Sequence, residues 1–189
     1  MIEEEWVSIS EKKRWLRSAL DELIGDFPPN YVEVGPKDPK WKDRVKLEIQ
    51  KIMKYVEFLK SRRNRPWFKL FPDKNPKYNY LVWTGHLTVP ERPEIKFDIK
   101  VLLTSEYPKV CPRCFIDDRI VEYCGKVFLK NIWEQNGQKY MMICHEHMAE
   151  TEAWEETLGI VHFFVREIWI WWAAQQNAII QEHDKRLKK

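Results

Sequence analysis

The stretch Ile95-Lys96-Phe97-Asp98-Ile99-Lys100-Val101 places a large apolar side chain at every second position and a charged one between each pair. Successive side chains of an extended strand point to opposite faces, so this alternation predicts a half-buried β-strand. Upstream, Phe68 and Leu70 flank Lys69, and Tyr78, Tyr80 and Val82 alternate with Asn79, Leu81 and Trp83. The groups Pro72-Asp73-Lys74-Asn75-Pro76 and Pro90-Glu91-Arg92-Pro93 separate these runs and are turn signals. Connections this short join antiparallel neighbours, so the region reads as a meander, with Cys114, Phe115 and Ile116 supplying a fourth strand.

Helical periodicity brackets the meander. Ser8 and Glu11 have capping-box spacing, and Trp15, Leu16, Ala19, Leu20, Leu23 and Ile24 recur at helical intervals until Gly25 offers a stop. Pro28, Pro29, Pro36 and Pro39 make the next segment an irregular connector. Trp41, Val45, Ile49, Ile52, Val56 and Leu59 then predict a helix to about Lys60, with lysines and glutamates on its outer positions. Further on, Val127-Phe128-Leu129 and Tyr140-Met141-Met142-Ile143 flank Asn136-Gly137, a dipeptide favoured in tight turns, so a small hairpin delivers Cys144. From Glu155 to about His183 the chain reads as helix, in one piece or two, with Leu158, Val161, Val165, Ile168, Trp169 and Trp172 on one stripe. Helices before and after an antiparallel sheet define an α+β domain.

Bulk properties narrow the function classes. With 189 residues, 44% of them hydrophobic, the chain can bury one core of ordinary size. The net charge of +3, from 32 bases and 29 acids, is too balanced to announce nucleic-acid binding. Basic clusters at Lys60, Arg62, Arg63 and Arg65 and at Lys185, Arg186, Lys188 and Lys189 read as solvated faces or tail. Glu3, Glu4, Glu5, Lys12 and Lys13 break up any secretory signal, so the expected location is the cytoplasm. His162, Arg166, Glu167, Gln175, Gln176 and Asn177 interrupt the apolar run 160–180 too often for a membrane span. The four cysteines are then expected to be reduced thiols, used for packing, metal binding or catalysis.

Several short motifs, in order, carry a resemblance. Gly35-Pro36-Lys37-Asp38 ahead of the Trp41 helix, Tyr55-Val56-Glu57, Trp67-Phe68-Lys69-Leu70, Phe97-Asp98-Ile99, Tyr107-Pro108, Ile143-Cys144 and Trp154 together resemble the ubiquitin-fold modifier (UFM) conjugating enzymes over roughly residues 33–175. The resemblance implies the ubiquitin-conjugating fold: a four-stranded antiparallel meander with flanking helices, an extra N-terminal helix, and a cysteine in the loop before the late helices. It divides the chain into an N-terminal helical extension and connector (1–32), a catalytic domain (33–183) and a basic tail (184–189). It also implies an activity: Cys144 accepts a ubiquitin-like modifier from an activating enzyme as a thioester and passes it to a lysine of a target, directly or with a ligase. No cofactor, membrane or nucleic acid enters that chemistry. Lys42 and Lys46, on the Trp41 helix, are the residues expected to face the activating enzyme. Two departures bear on the site. The family's Thr-Ala-Lys triplet before the cysteine is missing, Gly125-Lys126 being the nearest stretch, and the hairpin between Gly125 and Cys144 holds about ten extra residues. The His-Pro-Asn signature of mainstream ubiquitin-conjugating enzymes is absent too, which favours the UFM-type branch.

Thiolate is the attacking species, and a cysteine with a pKa of roughly 8.5 is only a few per cent ionised at neutral pH. His145, His147 and Lys139 are candidates to lower that pKa or to hydrogen-bond the thioester carbonyl, and Asn136, Gln138 and Lys139 are the nearest polar groups on the hairpin. They equally suit solvated loop positions. For Cys144 the competing role is a buried small hydrophobe. Two other classes stay open: a conjugating-fold scaffold without activity, against which Cys144 itself argues, and a small zinc-binding interaction domain. Cys111-Pro112-Arg113-Cys114 has knuckle spacing and Cys124 lies ten residues beyond, with Cys144, His145 or His147 available to complete four ligands, but a second matching Cys pair is missing. The default role of Cys111, Cys114 and Cys124 is packing.

Overall fold

A computed structural model of the chain describes residue 20 and residues 22–125, 129–143 and 154–188, with backbone alone at 129 and 130. Six antiparallel strands form one sheet: β1 (Phe68–Pro72), β2 (Val82–Val89), β3 (Arg92–Leu102), β4 (Arg113–Asp117), β5 (Leu129–Gln135) and β6 (Gln138–Ile143), in the order β1-β2-β3-β4-β6-β5. The predicted meander is β1 to β4, with Ile99 opposite Gly85 on one side and Ile116 on the other. The sheet has six strands where four were expected because the hairpin does not stand apart. Its returning strand β6 pairs with β4, setting Met142 opposite Phe115 and Tyr140 opposite Asp117.

Ile95, Phe97, Ile99 and Val101 are all buried, as their alternation requires. The alternation at Tyr78, Tyr80 and Val82 is deceptive. Pro76–Tyr78 is a 3-10 turn whose Asn75 side chain accepts from Lys77 N at 3.0 Å, and Asn79 and Tyr80 take left-handed φ values of 43° and 62°. Two consecutive residues in that conformation cannot continue a strand, and β2 starts only at Val82.

On the core face lies helix α1 (Trp41–Ser61). Trp41, Val45, Ile52, Tyr55 and Leu59 are buried on its inner stripe, and Ile49 and Val56 are half-buried. It ends where Arg63 turns left-handed at φ 58° and Asn64 N donates back to Leu59 O at 2.9 Å. Gly25 likewise stops the preceding helix at φ 58°, leaving Leu20 and Ile24 packed in the core. Ser8 and Glu11, where that helix is expected to begin, fall outside the described residues.

The last helix begins later than its apolar stripe suggests. Residues 155–159 are irregular; α2 (Ile160–Phe163) follows, then one wide π-type turn (Phe164–Ile168), then α3 (Trp169–Leu187). Phe164 and Trp169 lie 4.7 Å from Phe68 and 5.0 Å from Trp67, tilted aromatic contacts that join this helix to β1. At the same end of β2, where Phe68 lies opposite Leu87, Trp172 Nε1 donates to Thr88 O at 3.1 Å. Among the described residues no helix is long and apolar enough to cross a membrane.

Gly85 marks a close approach between the neighbouring strands β1 and β2: a Cβ there would sit 1.7 Å from the backbone oxygen of Lys69. Backbone cannot swing aside as a side chain can. Gly85→Ala should therefore lower the thermal midpoint by roughly 5 °C or more, measured by calorimetry.

Candidate active site

β6 carries the chain up to Cys144. Ile143, its last residue, is 1% exposed and opposite Leu129, so the strand end is fixed in the core. Residues 144–153 lie outside the described part of the structure, and Cys144, His145 and His147 fall there. The chain is described again from Trp154, whose indole N–H donates to Pro108 O at 2.5 Å and whose ring lies 6.2 Å from that of Tyr107.

Beneath Trp154 lies a buried polar network. The Tyr107 hydroxyl, in a residue 1% exposed, donates to Glu48 Oε1. Glu48 and Arg44, one helical turn apart on α1, are both sealed from solvent and paired through Arg44 Nε and Nη2 at 3.1 and 3.0 Å. The Arg44 guanidinium also donates to Tyr31 O at 2.7 Å and Leu158 O at 2.9 Å, and it lies 3.4 Å over the Phe27 ring centroid. Glu48 Oε2 accepts from Ile160 N at 2.9 Å. One ion pair on α1 thus ties together the connector at 27–31, the Tyr107 turn and the chain leaving the Cys144 segment. Burial, and then the Glu48 charge, push the Tyr107 pKa well above its ordinary value, so the hydroxyl keeps its proton and remains a donor.

Gly159 lets that chain approach so closely: a Cβ there would meet a Phe27 ring carbon at 2.3 Å and Glu48 Oε2 at 2.6 Å. Its N–H donates to Nδ1 of buried His162 at 3.0 Å. Sequence reasoning missed Arg44 and Glu48. Residues four apart among lysines and glutamates look like a solvated face, yet these two point inward. The only signal in the chain is their place on the Trp41 and Tyr55 side of the helix.

The remaining predicted site residues separate into groups. Asn136 is at the exposed hairpin tip, with φ 53°. Lys139 is an exposed residue of β6, about 13 Å by strand rise from Ile143. Both therefore stand at the opposite end of the hairpin from the strand end that precedes Cys144. Gln138 donates to Asp117 Oδ2 at 3.0 Å instead. Lys42 and Lys46 are exposed on the first turns of α1, with Lys46 paired to Asp43 at 2.8 Å.

Cys111, Cys114 and Cys124 pack. Cys114 is fully buried on β4 with its pKa raised by burial, Cys111 is pushed up to about 12 for the same reason, and Cys124, also raised, lies against Ile120 O at 3.4 Å. With its pKa raised that far, the Cys111 thiol keeps its proton at neutral pH. Among the described residues no group of three His, Cys, Asp or Glu side chains could hold a metal ion.

Residues 21–183 match the family described as ubiquitin-fold modifier-conjugating enzyme 1. The chain belongs to that family. Curated relatives of the same description are distant: the Drosophila sechellia protein is 28% identical over 126 residues, 62% of this chain and 75% of the relative. The rat and mouse proteins are each 22% identical over 183 residues, 88% of this chain and 96% of theirs. The six-stranded α+β architecture is consistent with the fold of the ubiquitin-fold modifier-conjugating family.

Beside the network, burial and then the positive charges of Arg166, Lys51 and Arg44 lower the His162 pKa to about 3. Its folded pKa lies below the unfolded value of about 6.5, so the neutral ring's contribution to stability is complete above pH 6.5 and is lost as pH falls toward 3. Urea unfolding between pH 6.5 and 5, above the carboxylate range, should lose up to about 1.4 kcal/mol per pH unit from this residue. His162→Asn should flatten that slope, and equal slopes would show that His162 does not carry it.

Proposed function

We propose that the chain accepts a ubiquitin-like, UFM-type modifier from an activating enzyme as a thioester on Cys144 and delivers it to a lysine, alone or with a ligase. The Cys144 thiolate attacks the carbonyl of the modifier's thioester, the C–S bond to the activating enzyme breaks, and its thiolate leaves. A lysine amine then attacks the new thioester, a C–N bond replaces the C–S bond, and Cys144 leaves as thiolate. Neither step calls for a metal or nucleotide cofactor on this chain. A thiol used in this way suits the reducing cytosol, where we assign the protein.

The observation that carries the reading is the bracketing of the Cys144 segment. Ile143 is anchored in the sheet on one side and Trp154 is docked on Tyr107-Pro108 on the other. Family membership supports it, as does the packing of the three other thiols into or against the core, which raises the pKa of each. His145 and His147 adjoin Cys144 in sequence and are the proposed groups for easing its ionisation. Asn136 and Lys139 would reach the thioester only on a modifier or partner that spans the hairpin.

Incubation with activating enzyme, modifier and ATP should give an adduct that reducing agent removes. Cys144→Ser should convert it to a thiol-resistant ester or abolish it, while Cys111→Ala and Cys124→Ala should retain it. A thiol-labile adduct that survives in Cys144→Ser would move the nucleophile elsewhere. We further propose that Lys42 and Lys46 meet the activating enzyme. Lys42→Glu with Lys46→Glu should slow loading several-fold at low salt and much less at high salt. Equal rates at low salt would remove both lysines from the interface.

A further inference from the structure

Along a second flank of α1 the fold leaves a groove of about 540 Å³ between that helix and the β1 edge of the sheet. Ile49, Met53 and Val56 from the helix and Phe71 from β1 give it an apolar lining. Met53 and Phe71 are 56% and 51% exposed, two of the four large apolar side chains left open to solvent among the described residues. Apolar surface gathered in one concave place, rimmed by polar groups, marks a site where another segment of chain binds. Its rim is basic. Lys60, Arg65, Lys69 and Lys96 line the groove, and Glu57 is the acid among the lining residues. Among the described residues none of the four bases forms an ion pair: Arg65 donates to Pro90 O at 3.4 Å, and Lys69 lies 5.1 Å from the Phe71 ring centroid. Burial, and then the Lys96 charge, lower the pKa of His86 in the same groove, so its ring is neutral at pH 7. Four bases against one acid leave +3. The groove is therefore built for a segment that is apolar and carries several carboxylates close together.

We propose that the groove is an intramolecular docking site for residues 2–7 of this chain, Ile2-Glu3-Glu4-Glu5-Trp6-Val7. Those residues lie outside the described part of the structure, and their composition matches the groove on both counts. Glu3, Glu4 and Glu5 carry three negative charges to the three uncompensated positive ones, and Ile2, Trp6 and Val7 bring apolar side chains to Met53, Val56 and Phe71. The described end of the tether is fastened to the same helix. Lys51 Nζ donates to Ile24 O and to Gly25 O at 2.6 Å each, and Leu20 is buried in the core. From Val7 to Leu20 the chain spans up to about 43 Å when extended and about 20 Å as helix. An α-helix with its side chains is only about 10–12 Å across, so the groove is within reach either way. A tether of that length holds the segment at an effective concentration on the order of millimolar, enough to keep the groove filled by a contact too weak to retain a free peptide. Anything else that uses the groove must displace it. The segment is thus a built-in competitor, independent of the thioester reading above.

Photo-crosslinking on the whole chain tests this without any partner. The protein is made with Trp6→benzoylphenylalanine, irradiated at low concentration, separated into monomer and dimer, and the joined peptides are identified by mass spectrometry. The expected product is a monomer crosslinked at Met53, Val56, Phe71 or their immediate neighbours. Glu3→Lys, Glu4→Lys and Glu5→Lys together should lower its yield about fivefold, and so should Lys60→Glu, Lys69→Glu and Lys96→Glu together. All six bases and acids named there are charged residues whose groove members are exposed, so the thermal midpoint should stay within a few degrees of the parent. Combining the two sets exchanges the charges and should restore the yield to within about twofold, a recovery that loss of folding cannot produce. Raising the salt should weaken the parent crosslink as well. A crosslink found only in the dimer would mean that a second copy fills the groove and would overturn the intramolecular site. Crosslinks confined to other surfaces, or a yield indifferent to both charge sets, would overturn it too.

Discussion

Two opposite charges buried side by side on α1 organise the molecule. Arg44 and Glu48 have no contact with water, and burying either one alone would be prohibitive. What makes the pair tolerable is that each also bonds backbone: Tyr31 O and Leu158 O take N–H groups from Arg44, and Glu48 takes the N–H of Ile160. Such a pair adds little net stability over an apolar replacement of matched volume, whereas removing one partner typically costs about 3–5 kcal/mol. Its contribution is therefore to specificity of arrangement. Segments far apart in sequence, at 31, 107 and 158–160, have one geometry in which every group is satisfied.

Around that pair the remaining contacts divide by face. The core face of the sheet meets α1, α2 and α3 through apolar and aromatic side chains, with Trp67, Phe68, Phe164 and Trp169 in mutual contact. On the outer face an aromatic patch forms at one end, where Trp133 from β5 lies 5.3 Å from Phe115 and 6.1 Å from Tyr140. Lys100 sits 5.9 Å from the Tyr140 ring centroid at the margin of this aromatic patch. The hairpin thus belongs to the sheet by hydrogen bonding and to its outer face by packing.

Much of this was legible in the chain. A strict alternation such as Ile95 to Val101 has one plausible outcome, and so does the Trp41 to Leu59 stripe, because each spans enough positions to separate a period of two from one of 3.6. Asn136-Gly137 located a hairpin turn correctly, yet nothing local to it revealed that β6 would pair with β4, a contact whose partners lie about 25 residues apart. Tyr78 to Val82 misled because alternation over so few residues also fits a turn, and Pro76 and Asn79 decided the matter. Leu158 was buried as expected, but Gly159 delays the helix behind it. At the candidate site Tyr107, Trp154 and the placement of Cys144 after an apolar strand could be read, whereas Arg44 and Glu48 could not. Their burial depends on carbonyls and an N–H contributed from elsewhere, and no period within α1 encodes that.

β5, the edge strand beside β6, has a further consequence. A bare strand edge is an invitation to another chain. Here the register slips between Lys130 and Ile132, and Asn131 adopts φ 47°. A visiting strand laid along β5 would find its row of bonding partners interrupted near the middle, even though Ile132 is exposed there. The opposite edge, β1, is only five residues long and ends in Pro72, which has no N–H to offer. Both borders of the sheet are thus poorly suited to polymerisation, and the molecule can present an apolar residue at its rim without templating its own aggregation.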